Sequence, residues 1–252
     1  MAESLIDREM HGRVCELQLT RPPVNALDRA LVSALDAALE AQFAAADCGA
    51  VVISGLPGTF TAGLDVREVT AGRAAVESLV RAFWGLQERL VRAPKPVIAA
   101  ITGHCPAGGM VIAMLCDYRI MAQGDYRIGL NEVQVGLYPG DTIHRAYARL
   151  IGTARAATLL PRGTLLAPDA ALAAGLVDEL APLSEVRARA IAHADALLQL
   201  PPNAYARTRG LVRTDLVELY ARPRESVDQL LADGWAGEET RAAMAKILAR
   251  GG

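Results

Sequence analysis

Leu27, Leu31, Leu35 and Leu39 recur every fourth residue, and Val32 and Phe43 extend the same apolar face, so a helix is predicted from Asn25 into the forties. Asn25 offers an N-cap, with Asp28 three residues on. Residues 12–20 are rich in strand formers and are stopped by Arg21-Pro22-Pro23, the pattern of a short strand. Two continuous apolar runs, 49–54 and 97–102, have the length and flanking Gly and Pro residues of buried strands. Between them, residues 55–69 read as a turn-rich loop leading into helix. Residues 110–117 read as a buried helix of about two turns, and 118–122 as another short strand. Beyond Gly140 helical patterns prevail, around 145–151, 168–174, 185–200 and 238–248. Strands alternating with helices imply an α/β fold of parallel β-α-β units, and the helical last third implies an added layer or an oligomerisation element. The predicted division is a core over residues 1–190 and a C-terminal helical region over 191–252.

Composition narrows the function classes. With 52% hydrophobic and 21% charged residues in 252, the chain has enough apolar material for a sizeable core. A formal net charge of -2 gives no electrostatic reason to expect a nucleic-acid partner. Arg207, Arg209, Arg213, Arg222 and Arg224 cluster late in the chain, but acidic residues interleave from Asp215 onward, which predicts solvated helix faces. Cys15, Cys48, Cys105 and Cys116 show no paired or metal-ligand spacing, so reduced thiols, a cytoplasmic location and no metal are expected. The first residues are acidic and lack an apolar run, unlike a signal or transit peptide. No stretch reaches the roughly 18 apolar residues of a membrane span.

Candidate chemistry lies in three glycine-bearing loops that follow apolar strands: 60–65 (FTAGLD), 103–109 (GHCPAGG) and 129–140 (GLNE with Gly136 and Pro139-Gly140). Taken singly, each is an ordinary turn. Two of them bring small residues and a helix start, where backbone N–H groups are unsatisfied and suited to hold a developing oxyanion. Neither phosphate-loop pattern nor a G-x-S-x-G elbow is present. Glu132 by itself reads as a surface carboxylate and Asn131 as a turn residue. His104 stands beside the second loop, and Cys105 has no activating base in view.

The order and spacing of FTAGLD, KPVIAAITGHCPAGG-x-x-x-A-x-x-CDYRI and IGLNE-x-x-x-G-x-x-PG resemble the enoyl-CoA hydratase/isomerase (crotonase) family. PPVNAL and AGLVDELAP extend the similarity over roughly residues 12 to 185. The wording CPAGG, CDYRI and IGLNE is closer to the mitochondrial-type 3,2-trans isomerases than to the hydratases. The resemblance implies a spiral of repeated β-β-α units, with C-terminal helices packing in a homotrimer or dimer of trimers. It implies an acyl-CoA thioester as substrate, coenzyme A being part of that substrate and no separate cofactor. By position it implies an oxyanion hole from the N–H groups of Leu64 and Gly108, and a catalytic glutamate at Glu132. It further implies contacts to the CoA moiety from Val24, from the carbonyl of Ala62, and from Gly63 and Asp65, with Asn131 at the substrate.

One departure is informative. Hydratases of this family carry a second glutamate three residues after the oxyanion glycine, and here that position is Val111. Hydration needs a water activated and a proton delivered, whereas moving a double bond from carbon 3 to carbon 2 needs one base acting on one face, with the dienolate held in between. The expectation is an enoyl-CoA isomerase of fatty-acid β-oxidation. The alternatives are a hydratase or another crotonase-type lyase or hydrolase and, from a different class, a non-catalytic acyl-CoA-binding protein.

Overall fold

The computed structural model describes residues 4–232, 235 and 237–248. The chain opens with β1 (Ile6–His11), β2 (Val14–Leu19), α1 (Arg29–Ala44), β3 (Ala50–Ser54), the two-residue β4 (Gly58–Thr59), the short α2 (Val66–Thr70) and the long α3 (Arg73–Val91). A second turn brings β5 (Val97–Ile101), β6 (Gly103–Pro106) and α4 (Gly108–Leu115). A third brings β7 (Tyr118–Ala122), β8 (Ile128–Gly129), a 3-10 turn at Glu132–Val135 and α5 (Gly140–Ile151). Then follow α6 (Thr153–Leu159), α7 (Pro168–Ala174), β9 (Glu179–Ala181), α8 (Val186–Leu198), α9 (Pro202–Val212), α10 (Thr214–Ala221), α11 (Val227–Ala232) and α12 (Glu238–Leu248).

Each turn of the spiral adds one strand to each of two sheets. The larger has the order β1-β2-β3-β5-β7-β9, antiparallel at β1/β2 and parallel from there on. The smaller is β4-β6-β8, all parallel. The α/β spiral of β-β-α units is therefore the fold of this chain. Strands β3 and β5 are buried at every residue, which explains their unbroken apolar sequence. Val51 and Ile53 face one way with Leu31, Leu35 and Leu39 of α1 and Leu79, Leu86 and Leu90 of α3. Ala50 and Val52 face the other way, toward Val186, Ala190 and Ala194 of α8. Each fully buried leucine contributes roughly 2 kcal/mol of apolar transfer free energy. The expected boundary after residue 190 falls inside α8, which packs on the large sheet.

Two sequence expectations are corrected. Helix α1 is capped by Asp28, whose side chain accepts from the Leu31 amide, and not by Asn25. Asn25 is buried with a φ of 50°, and its amide donates to the carbonyls of Leu19 and Phe60. Tertiary hydrogen bonds hold it in a left-handed conformation that asparagine tolerates better than most residues. The late arginines are not all solvated either. Arg209 and Arg213 both bond the Asp117 carboxylate, and Arg213 also donates to the carbonyls of Leu90 and Leu115. Asp117 in turn accepts from the Val97 amide, so this ion cluster fastens α9 and α10 to the start of β5. Among the described residues no helix is long and apolar enough to cross a membrane.

Candidate active site

The small sheet sets the site. Its parallel register pairs Gly58 with Gly103 and Thr59 with His104, then Cys105 with Ile128 and Pro106 with Gly129. The chain segments leaving these three strands carry Leu64, Gly108 and Glu132, one from each turn of the spiral. The approach is close enough to require glycine at position 103, where a Cβ would stand 2.0 Å from the Gly58 carbonyl. The first two loops meet the same way. Gly63 has a φ of 87°, and a Cβ there would lie 3.1 Å from the Ala107 methyl and 3.6 Å from the Gly108 nitrogen.

Two backbone amides face the resulting space unspent. Gly108 is the first residue of α4, so its N–H has no intrahelical acceptor and sits at the positive end of the helix dipole. Neither this N–H nor that of Leu64 finds a hydrogen-bond acceptor among the described residues. Leu64 is held by its neighbours, the Leu27 amide donating to the Gly63 carbonyl and the Asp65 amide to the Leu27 carbonyl. Ala107, just before Gly108, has φ 48° and ψ -120°, a conformation that costs a residue with a Cβ about 1–3 kcal/mol. That strained turn swings the chain from β6 into α4 and presents the Gly108 amide.

Glu132 opens the 3-10 turn after β8 and is only 9% exposed. Among the described residues its Oε2 has no hydrogen-bond partner, and burial raises its pKa from the ordinary 4.5 to about 7. A carboxyl in this state is a base poised near neutrality. Val111, on the first turn of α4, is buried in the same wall and brings no second carboxylate there.

A cavity of about 590 Å³ joins these groups. Of the residues expected from sequence, Val24, Ala62, Leu64, Asp65, Gly108, Asn131 and Glu132 all line it, while Gly63 shapes it from behind. Val24 and Ala62 are exposed at the lip, tied by a 2.9 Å bond from the Ala62 amide to the Val24 carbonyl. The Asp65 carboxylate is committed, capping α2 through the Arg67 amide and pairing with Arg21 at 2.8 Å. His104 points elsewhere, accepting from the Arg127 amide and meeting Tyr126 edge-on. The Cys105 thiol is fully buried and its pKa is pushed well above the usual range, which leaves it unreactive. For a cation, the described residues offer the group Glu9, His11 and Glu16, away from the cavity, but Arg187 and Ser54 already bond the Glu16 carboxylate.

The structure adds wall residues that sequence reasoning did not supply. Leu219, Leu230, Trp235 and Met244 come from the C-terminal helices and the chain between them, and Glu225 and Arg21 are further polar members. No local pattern marks them, because their partners lie far off in the chain. Trp235 donates its indole N–H to the Tyr138 carbonyl and Thr240 its hydroxyl to the Gly136 carbonyl, so the C-terminal arm is laid over the segment that follows Glu132.

Known proteins show the same arrangement of chain. A crystal structure of human mitochondrial delta3-delta2-enoyl-CoA isomerase superimposes with a TM-score of 0.89 at 27% identity, covering 98% of this chain and 97% of that one. In sequence, the human mitochondrial enoyl-CoA delta isomerase 1 is 32% identical over 215 residues, 83% of this chain and 70% of that protein. A probable enoyl-CoA hydratase of Rhizobium meliloti (strain 1021) is 30% identical over 243 residues, covering 96% of this chain and 94% of that protein. The enoyl-CoA hydratase/isomerase family model matches residues 9–246. With that match running through all three turns and into the C-terminal arm, the chain belongs to the enoyl-CoA hydratase/isomerase family.

Proposed function

We propose that the protein is an enoyl-CoA isomerase that moves a double bond from carbon 3 to carbon 2 of an acyl-CoA. The observation that carries this reading is a buried carboxyl, Glu132, whose Oε2 has no partner among the described residues, sharing a cavity with two unspent amides, with Val111 where hydration would want a second carboxylate. Glu132 takes a proton from carbon 2. The thioester oxygen, now bearing charge, is held by the N–H groups of Leu64 and Gly108. The same carboxyl returns the proton to carbon 4, leaving the 2-enoyl thioester. A base of pKa about 7 both accepts and releases that proton readily. In this reading the lip at Val24, Ala62 and Asp65 takes the CoA moiety, Asn131 adjoins the acyl group, and β-oxidation of unsaturated chains is the setting. Four unpaired cysteines suit the cytoplasm, and the family resemblance favours a trimer or dimer of trimers.

A hydratase is the second reading, favoured by the name given to the Rhizobium relative and by Glu225, a cavity carboxylate with no ion-pair partner among the described residues. The deciding experiment supplies purified protein with 3-hexenoyl-CoA and 2-hexenoyl-CoA separately and identifies the products. Conversion of the first to 2-hexenoyl-CoA with little hydration of the second supports the isomerase. Hydration at a comparable rate overturns it, and binding without turnover of either points to a non-catalytic carrier.

A further inference from the structure

Most of the inner wall of the cavity is apolar, and Gln87 is an exception. It lies on the face of α3 that also contributes Phe83 and Trp84, four and three residues earlier, to the cavity. It is 1% exposed. The hydroxyl of Tyr220, itself buried on α10, donates to Gln87 Oε1 at 3.1 Å. Gln87 Nε2, in contrast, has no hydrogen-bond partner among the described residues. Arg224 lies over the Tyr220 ring, 4.9 Å from its centroid, and pairs with Glu88 on the next residue of α3, so the tyrosine that orients the amide is itself held in place.

A glutamine amide buried in a hydrocarbon-lined site carries two N–H groups that a plain alkyl chain leaves unpaired. An apolar residue of the same size would serve such a chain better. The pair of Gln87 and Tyr220 makes sense as a recognition element if the ligand brings an acceptor. We propose that Gln87 selects acyl chains bearing an acceptor oxygen, such as an ether, keto or hydroxyl group, beyond the reacting carbons. The substrate class is then an oxygen-substituted enoyl-CoA in preference to the plain hydrocarbon thioester. This inference rests on the acyl-CoA reading of the cavity but not on the reaction carried out there.

The test is binding of unreactive saturated thioesters by calorimetry, so that turnover is not needed. Octanoyl-CoA is compared with a set in which one ether oxygen replaces a methylene at successive positions beyond carbon 4. An ether oxygen accepts and cannot donate, so it can pair with a free N–H, and the Gln87→Leu variant shows whether that N–H is the one from Gln87. The expected result is one position at which the ether binds about tenfold more tightly than octanoyl-CoA, the gain of one buried donor finding its partner. Gln87→Leu is expected to reverse the order, with octanoyl-CoA bound as well or better and the ether disfavoured. Tyr220→Phe, which releases the amide without removing it, is expected to shrink the preference while octanoyl-CoA affinity holds. Ethers that all bind no better than octanoyl-CoA to the unaltered protein overturn the proposal, as does a preference that survives Gln87→Leu. If octanoyl-CoA binds and no ether is preferred, only this inference fails. If no acyl-CoA binds at all, the reading of the cavity fails with it.

Discussion

Replacing Glu132 with Gln tests the site twice, through activity and through stability. A carboxyl whose pKa is raised on folding binds its proton more tightly in the native state than in the unfolded chain. Its contribution favours folding below the unfolded value of 4.5 and is lost as pH rises through the native value of about 7. That difference, at about 1.4 kcal/mol per pH unit, makes an ionised Glu132 cost the fold about 3 kcal/mol in mildly alkaline solution and almost nothing in acid. Glutamine has the same shape and no charge, so whatever its amide costs is the same at every pH. Urea denaturation of both proteins at pH 5 and pH 8, at one protein concentration, isolates the ionisation. The Gln variant is expected to gain about 2–3 kcal/mol on the wild type between those two conditions. Its isomerase rate is expected to fall by about 10²–10⁴, because an amide cannot accept the proton. A stability difference that does not change with pH would show that Glu132 ionises freely in the fold and refute the desolvation argument, whatever the rates do.

The same pKa predicts that kcat/KM of the unaltered protein rises about tenfold per pH unit toward pH 7 and levels off above it; a flat profile from pH 5 to 9 contradicts a Glu132 base. Val111→Glu places a second carboxylate on the first turn of α4, and is expected to lower isomerisation, raise hydration of 2-hexenoyl-CoA to a detectable rate, and cost about 1–3 kcal/mol for a polar group in a valine site. No hydration gained in a folded variant would sink the account of why valine stands there. Asp117→Ala removes the shared acceptor of Arg209, Arg213 and the Val97 amide and is expected to cost about 3–5 kcal/mol by urea denaturation, since it leaves a buried guanidinium uncompensated. A loss below about 1 kcal/mol would show the cluster to be solvated.

The leucine repeat of α1 and the apolar runs of β3 and β5 were legible because burial on one face or on both writes itself directly into sequence. Strand β1 was not, since it is an edge strand whose sequence, IDREMH, is mostly polar and has no fully buried residue. Helix α9 has no buried residue and left no apolar stripe to find. The small sheet was invisible as such, two of its strands being two residues long, although the glycines that let them touch stood out. For the site, the motif resemblance pointed to the residues that line the cavity. The committed state of Asp65, the orientation of Gln87 and the wall from Leu219, Leu230, Trp235 and Met244 depend on partners distant in the chain, and the residues alone carried no trace of them. The reading of the arginines failed because sequence shows that acids are interleaved but not that Asp117 waits more than ninety residues away.

The three-stranded sheet has one further consequence. The Leu64 and Gly108 amides and the Glu132 carboxyl are kept in mutual register by a ladder only a few rungs long, separate from the six-stranded sheet that holds most of the core. A brief opening of that ladder would scatter the three groups while leaving the large sheet and its helices intact. Native-state amide exchange should therefore distinguish two thresholds, a lower free energy for amides of β6 and β8 and the global value for β3 and β5. Heat or denaturant would then silence the protein before it unfolds, and a thioester bound as proposed, across amides from two of the three turns, would close the gap between those thresholds by mass action.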